Sequence, residues 1–117
     1  ADLRIDGVLM PMAAQVELIE QIEQAGPFGA SSPAPRFAFA EMSIRHTRRV
    51  GESHLKIGFG NEAGHLEAIA FNAFSTDLGP ALEAHGGARF HLAGKLEINT
   101  WRGRQSVQLR LDDAAPA

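Results

Sequence analysis

The 117-residue sequence contains no cysteine and a single tryptophan. Without Cys there is no disulfide, no thiolate nucleophile and no zinc–thiolate site, and a reducing setting, the cytoplasm, is expected. No apolar run reaches membrane-span length and no signal peptide is read, so no membrane partner is expected. The chain opens at Ala1 rather than Met, which reads as a piece of a longer protein. Strong charge of one sign is missing too. The formal net charge is -3, which taken alone argues against a nucleic-acid binder.

The distribution of charge changes that reading. Residues 1–32 carry Asp2, Asp6, Glu17, Glu20 and Glu23 against one Arg4, and the rest is slightly basic. Two stretches are locally basic: "RHTRRVGESHLK" at 45–56, and Arg102 to Arg110, which holds no acid. Local potential steers a ligand more than net charge does. With 44% hydrophobic and 21% charged residues the composition is that of an ordinary globular domain, and the length suits one domain with a small core.

"ADLRIDGVL" alternates like a short strand. "PMAAQVELIEQIEQAG" reads as a helix, with Pro11 in its first turn, Val16, Leu18, Ile19 and Ile22 as its apolar stripe and Gly26 as its stop. "GPFGASSPAP" at 26–35 is a Gly/Pro/Ser connector, in which Phe28 is expected to pin the linker to the rest. This divides the chain into residues 1–35 (strand, helix and connector) and residues 36–117.

From Phe37 the signals are those of strands. "FAFAEMSIRHT" changes phase midway, as a bulged strand does, and "HLKIGFG" and "HLEAIAFN" follow it. "TDLGPALEAHGG" is a short helix, capped at Thr76 or Asp77 and ended by Gly86 and Gly87. "ARFHLAGKLEINTW" and "RQSVQLRLDD" are the last two strands. Three strands, a helix and two strands is the order of a mainly β, five-stranded OB barrel.

The last hairpin fixes a register. If Arg102-Gly103 is a two-residue turn, Trp101 opposes Arg104, Asn99 opposes Ser106, Ile98 opposes Val107 and Leu96 opposes Leu109. The apolar pairs then share one face. Lys95, Glu97, Asn99, Trp101, Arg104, Ser106, Gln108 and Arg110 share the other. Trp101 points onto a polar, basic face, with Arg104 placed to stack on it. Such a ring suits stacking on unpaired bases. Equally, it could fold over the barrel edge or against the N-terminal helix.

"HLKIGFG", "LEAIAFN" and above all "EINTWRGRQSVQLRLDD", with the upstream "ELIEQIEQAGPFG" and "PAP", resemble the C-terminal OB domain of the RecJ family. That family comprises bacterial single-stranded-DNA-specific exonucleases among the DHH phosphoesterases. The resemblance covers nearly the whole chain. One departure is Ser31-Ser32, where the family tends to carry Gly-Asn. The resemblance implies a non-catalytic piece of an enzyme that degrades single-stranded DNA from the 5′ end in repair and recombination. It implies manganese or magnesium in catalytic domains outside this chain, and makes "ADLRIDGVL" the tail of a preceding domain that docks elsewhere or lies free. No catalytic residue, metal ligand or cofactor is expected within this sequence. It has no Asp-His-His motif, and His46, His54, His65, His85 and His91 are scattered.

The expected contacts with single-stranded DNA are Trp101 as a stacking platform and Arg102 and Arg104 as phosphate or stacking contacts. Arg48 and Arg49, in or near the turn after the first strand, and Lys56 join them, with Asn99 and Gln108 able to reach base edges. Gln105 has the same chemistry, His54 reads as a surface residue, and Phe71, in phase with Ile69, reads as core. The alternative is a brace for the catalytic domains or a dock for the acidic tail of single-strand-binding protein. A pocket of cations would favour the tail, and a stripe of cations a strand of DNA.

Overall fold

The computed structural model describes residues 4–26 and 34–117. Five long strands form the body: β2 (Phe37–Val50), β3 (His54–Asn61), β4 (Gly64–Ala70), β5 (Arg89–Trp101) and β6 (Arg104–Pro116). They follow a two-residue strand, β1 (Gly7–Val8), and helix α1 (Val16–Gln24), and helix α2 (Leu78–Glu83) connects β4 to β5. The pairing runs β2-β3-β4-β6-β5, and β5 returns to β2, so the sheet closes on itself. All these contacts are antiparallel except β4 with β6. This is the mainly β, five-stranded OB barrel with its helix between the third and fourth barrel strands.

Alternation builds the interior. Leu55, Ile57 and Phe59 of β3 pair with Ala70, Ala68 and Leu66 of β4, and all six are buried. Phe39 and Phe59 meet edge to face at 5.3 Å between ring centroids, beside the buried Met42, Leu92 and Leu109. The phase change in β2 is real. Pairing shifts between Phe39 and Met42, where Glu41 takes φ 55°, and again between Ile44 and His46. Such bulges bend a long strand so that it can serve two neighbours of a small barrel. A third irregularity, at Ala93/Gly94, brings backbones so close that a Cβ on Gly94 would sit 2.1 Å from the Arg110 carbonyl oxygen.

The N-terminal segment is attached to the barrel. Rather than docking elsewhere or lying free, Gly7–Val8 pairs in parallel with Phe37–Ala38. The helix expected from Pro11 onward is split. Pro11–Ala13 forms a 3-10 turn, and Ala14, buried with ψ 80°, breaks the backbone before Val16 starts α1. Helix α1 packs on β5 and β6, where Ile19 and Ile22 approach Leu96. Arg36 ties the parts together. Its side chain is buried, donates to both carboxylate oxygens of Asp112 on β6, and donates through Nη1 to the Arg4 carbonyl at 2.8 Å. The expected roles of Phe28 and Ser31-Ser32 lie outside the described residues. No helix among the described residues is long and apolar enough to cross a membrane.

Candidate nucleic-acid interface

The β5–β6 hairpin adopts the register its sequence dictates. Trp101 pairs with Arg104, Asn99 with Ser106, Ile98 with Val107 and Leu96 with Leu109. Arg102 at φ 51° and Gly103 at φ 77° both take left-handed backbone, as a type I′ turn requires. Gly does this freely, whereas Arg carries a strain of about 1 kcal/mol. Residues 99–106 are all exposed, and Trp101 at 64% is an open aromatic surface at the tip. The cation over it is not Arg104, directly across the ladder, but Arg102, whose guanidinium carbon lies 4.4 Å from the ring centroid. The left-handed backbone at Arg102 turns its side chain back onto the ring. The contact contributes about 0.5–1 kcal/mol at so exposed a site. Arg104 stays exposed at the same tip.

Towards the middle of the barrel, one register row crosses all five strands. Arg48 of β2 pairs with Lys56 of β3, Lys56 with Ile69 of β4, Ile69 with Arg110 of β6, and Arg110 with Lys95 of β5. Residues in one register row point to the same side of a sheet, so four cations lie along the outer surface, about 4.8 Å apart per strand. Ile69 sits between Lys56 and Arg110 and is only 8% exposed, although it faces outward. Long cationic side chains cover apolar neighbours in this way with their aliphatic stems.

A row of mixed charge separates these cations from the tip. Here Gly58 pairs with His46 on one side and Glu67 on the other, and Glu67 pairs with Gln108, which pairs with Glu97. His46 Nε2 and Glu67 Oε2 approach to 3.2 Å above Gly58, where a Cβ would collide with both. Gln108 donates to Glu97 at 3.2 Å, so its amide is engaged within the sheet. Asn99 is exposed opposite Ser106, and Gln105 is exposed opposite Thr100.

Arg48 and Arg49 lie within β2, not in the turn after it, and they face opposite ways. Arg49 pairs with the inward-facing Leu55 and reaches over the barrel end. It makes two hydrogen bonds to Glu83 of α2, at 2.8 and 2.9 Å, and lies 4.1 Å over the Phe74 ring. The hydrogen-bonded carboxylate raises the Arg49 pKa further, and the guanidinium lowers that of Glu83 below its ordinary value. This pair clamps α2 to β2, while the Arg49 side chain stays 56% exposed.

Phe71 is not core. It lies just past the end of β4 and is 44% exposed. Its phase agreement with Ile69 is correct, but both point outward. The His54 ring meets it edge-on at 5.1 Å, and the Arg110 guanidinium carbon lies 4.7 Å from its centroid. Sequence reasoning therefore placed Arg110 and Lys95 on the right face without singling them out, and it assigned Phe71 to the wrong side. The missing signal was the parallel β4–β6 register, which aligns residues about forty positions apart. As for metal, among the described residues no three His, Cys, Asp or Glu side chains gather into a site. The donor set does not fit the paired-metal chemistry that the family resemblance implies for other domains.

Comparison with known proteins is consistent with this architecture. The RecJ OB domain family matches residues 5–113. Relatives named single-stranded-DNA-specific exonuclease RecJ include that of Escherichia coli (strain K12), 36% identical over 95% of this chain. That of Bacillus subtilis (strain 168) is 29% identical over 86% of the chain. The chain spans 19% of the length of the first relative and 12% of the second. A solved chain described under a replication protein A heterotrimer bound to ssDNA superposes with a TM-score of 0.49 at 15% identity, covering 94% of this chain and 80% of that one. The match over residues 5–113 decides the assignment: the chain belongs to the RecJ OB domain family.

Proposed function

We propose that this chain is the single-stranded-DNA-binding module of a larger 5′–3′ exonuclease of DNA repair and recombination, and that catalysis resides in other domains of that protein. The observation that carries this reading is the row Arg48, Lys56, Arg110 and Lys95, one cation from each of four strands, winding around the outside of the closed barrel that also carries the exposed Trp101 hairpin. Cations spaced across a barrel suit consecutive phosphates of a strand, and an exposed ring suits an unpaired base. A dock for an acidic protein tail would instead gather its cations around one apolar pocket; Lys95 and Arg110 do border the cleft beside Phe71, but Arg48 and Lys56 lie outside it. Arg102 and Arg104 extend the positive surface to the tip, Asn99 offers an amide to a base edge, and Arg49 is held by Glu83.

Oligo-dT and duplex binding at rising salt test this reading. Four phosphate contacts predict that log K falls against log salt with a slope of about -3 for a single strand, at about -0.7 per contact. Lys56→Gln should make that slope shallower by about 0.7 and weaken binding alike for every sequence. Equal affinity for duplex, or a slope unchanged in Lys56→Gln, would contradict the reading.

A bracing role for the N-terminal segment is supported by a separate observation. Ile5, Val8, Met10 and Met12 are all exposed along the strap that holds β1. Four large apolar side chains on one short segment suit packing against another domain of the longer protein. The two roles are compatible, since they use different residues.

A further inference from the structure

We infer that Phe71, with His54 and Arg110, forms a second stacking subsite for a base of single-stranded DNA, and that Lys95 and Arg110 hold the phosphate beside it. The inference rests on the DNA-binding reading above and extends it from one aromatic platform to two.

Phe71 and Trp101 are the two exposed large apolar side chains among the described residues that lie outside the N-terminal strap. Both carry an Arg guanidinium over the ring, Arg102 at 4.4 Å and Arg110 at 4.7 Å. Phe71 contributes little to the core at this exposure, yet it is held firmly. His54 packs against it, and the next residue, Asn72, takes φ 52° with its N–H donating to His54 Nδ1 at 3.0 Å. A rigid, open ring with a cation at its face loses little freedom when a base stacks on it.

The surroundings suit a nucleotide. Phe71 borders an open cleft of about 540 Å³ that Asn72, Ser75, Thr76, Lys95 and Arg110 also line. The acid in the cleft is Asp112, and its carboxylate is taken by Arg36, which limits repulsion of a phosphate. The spacing also fits. Arg110, over Phe71, lies six residues along β6 from Arg104, the partner of Trp101. At about 3.3 Å per residue the two platforms stand roughly 20 Å apart. That spans about six nucleotides at the 3.4 Å spacing of a stacked strand, and fewer in a stretched one. It falls within the range of roughly 4–16 nucleotides per OB fold.

The test moves the single tryptophan. In Trp101→Phe/Phe71→Trp the only indole reports on the second subsite, and oligo-dT of about eight nucleotides should quench its emission, whereas duplex should not. In Phe71→Ala, affinity for the same oligonucleotide should fall roughly fivefold or more, the loss of one stacked base. Trp101 quenching at saturation should remain. If the wild-type indole is quenched and the relocated one is not, the second subsite is wrong while DNA binding stands. If neither is quenched and labelled oligo-dT shows no anisotropy change, the binding reading fails and takes the subsite with it. If an acidic C-terminal peptide quenches the relocated indole and oligo-dT does not, the cleft takes a protein tail and the inference is overturned.

Discussion

Replacing Arg36 by Met should loosen the N-terminal strap before the barrel. The substitution keeps most of the apolar stem and removes the guanidinium. Three side-chain hydrogen bonds disappear, two to Asp112 and one to the Arg4 carbonyl. The Asp6 carboxylate keeps its bond from the Arg36 backbone N–H, and the Asp6 N–H keeps the Arg36 carbonyl. Breaking a fully buried ion pair costs about 3–5 kcal/mol. Here the Asp112 side chain is 42% exposed and can rehydrate, so a lower figure of about 2–3 kcal/mol is expected. For a domain of this size that lowers Tm by about 10 °C. Urea and thermal unfolding give the magnitude. Hydrogen exchange at the Asp6 and Leu9 amides, which pair with Arg36 and Ala38, gives the location. Arg36→Lys should fall between wild type and Arg36→Met, because an ammonium keeps the charge without the two-pronged geometry. A loss under about 0.5 kcal/mol, the range of ordinary surface substitutions, would refute the reasoning. So would unchanged strap exchange.

Arg102→Asn should leave hairpin stability within about 0.5 kcal/mol of wild type, because relief of the left-handed strain is offset by loss of the contact with Trp101, and should weaken oligo-dT binding by removing a cation. Oligo-dT affinity equal to wild type would contradict a role for this cation at the tip. The Arg49–Glu83 clamp gives a pH signature. Glu83 is lowered from an ordinary value of 4.5, first by its hydrogen bond from Arg49. Its contribution is therefore full above that value and is lost as pH falls through the depressed one. Glu83→Gln should be less stable than wild type at pH 7, and the gap should close in strong acid. A gap that stays constant from pH 7 to pH 2 would place the contribution elsewhere.

The barrel was legible because burial in a sheet has period two. Leu55, Ile57 and Phe59, and then Leu96, Ile98, Val107 and Leu109, announce inner faces, and the Arg102-Gly103 turn fixes their alignment. Misreadings arose where a distant partner decides. Nothing near Arg49 in sequence points to Glu83, 34 residues away, so its ion pair is not visible in the sequence. Ile69 is buried although it faces outward, because Lys56 and Arg110 flank it from other strands, and Phe71 inherits a false core assignment from it. The helix read from Pro11 overran because Ala14 must turn its backbone to enter the barrel, and no propensity records that.

The most direct measurement uses Trp101. The 117-residue chain is titrated with oligo-dT and with duplex at low salt while intrinsic emission is followed, and labelled oligo-dT anisotropy compares wild type with Trp101→Ala. Stacking of a base on the exposed ring predicts quenching by the single strand alone, reversed by salt. It also predicts a roughly 5- to 150-fold weaker affinity in Trp101→Ala, the equivalent of about 1–3 kcal/mol. Trp101 is so exposed that its removal should leave the fold intact. Emission unchanged at saturating oligo-dT, or equal affinity without the ring, would contradict the claim that this surface holds unpaired DNA.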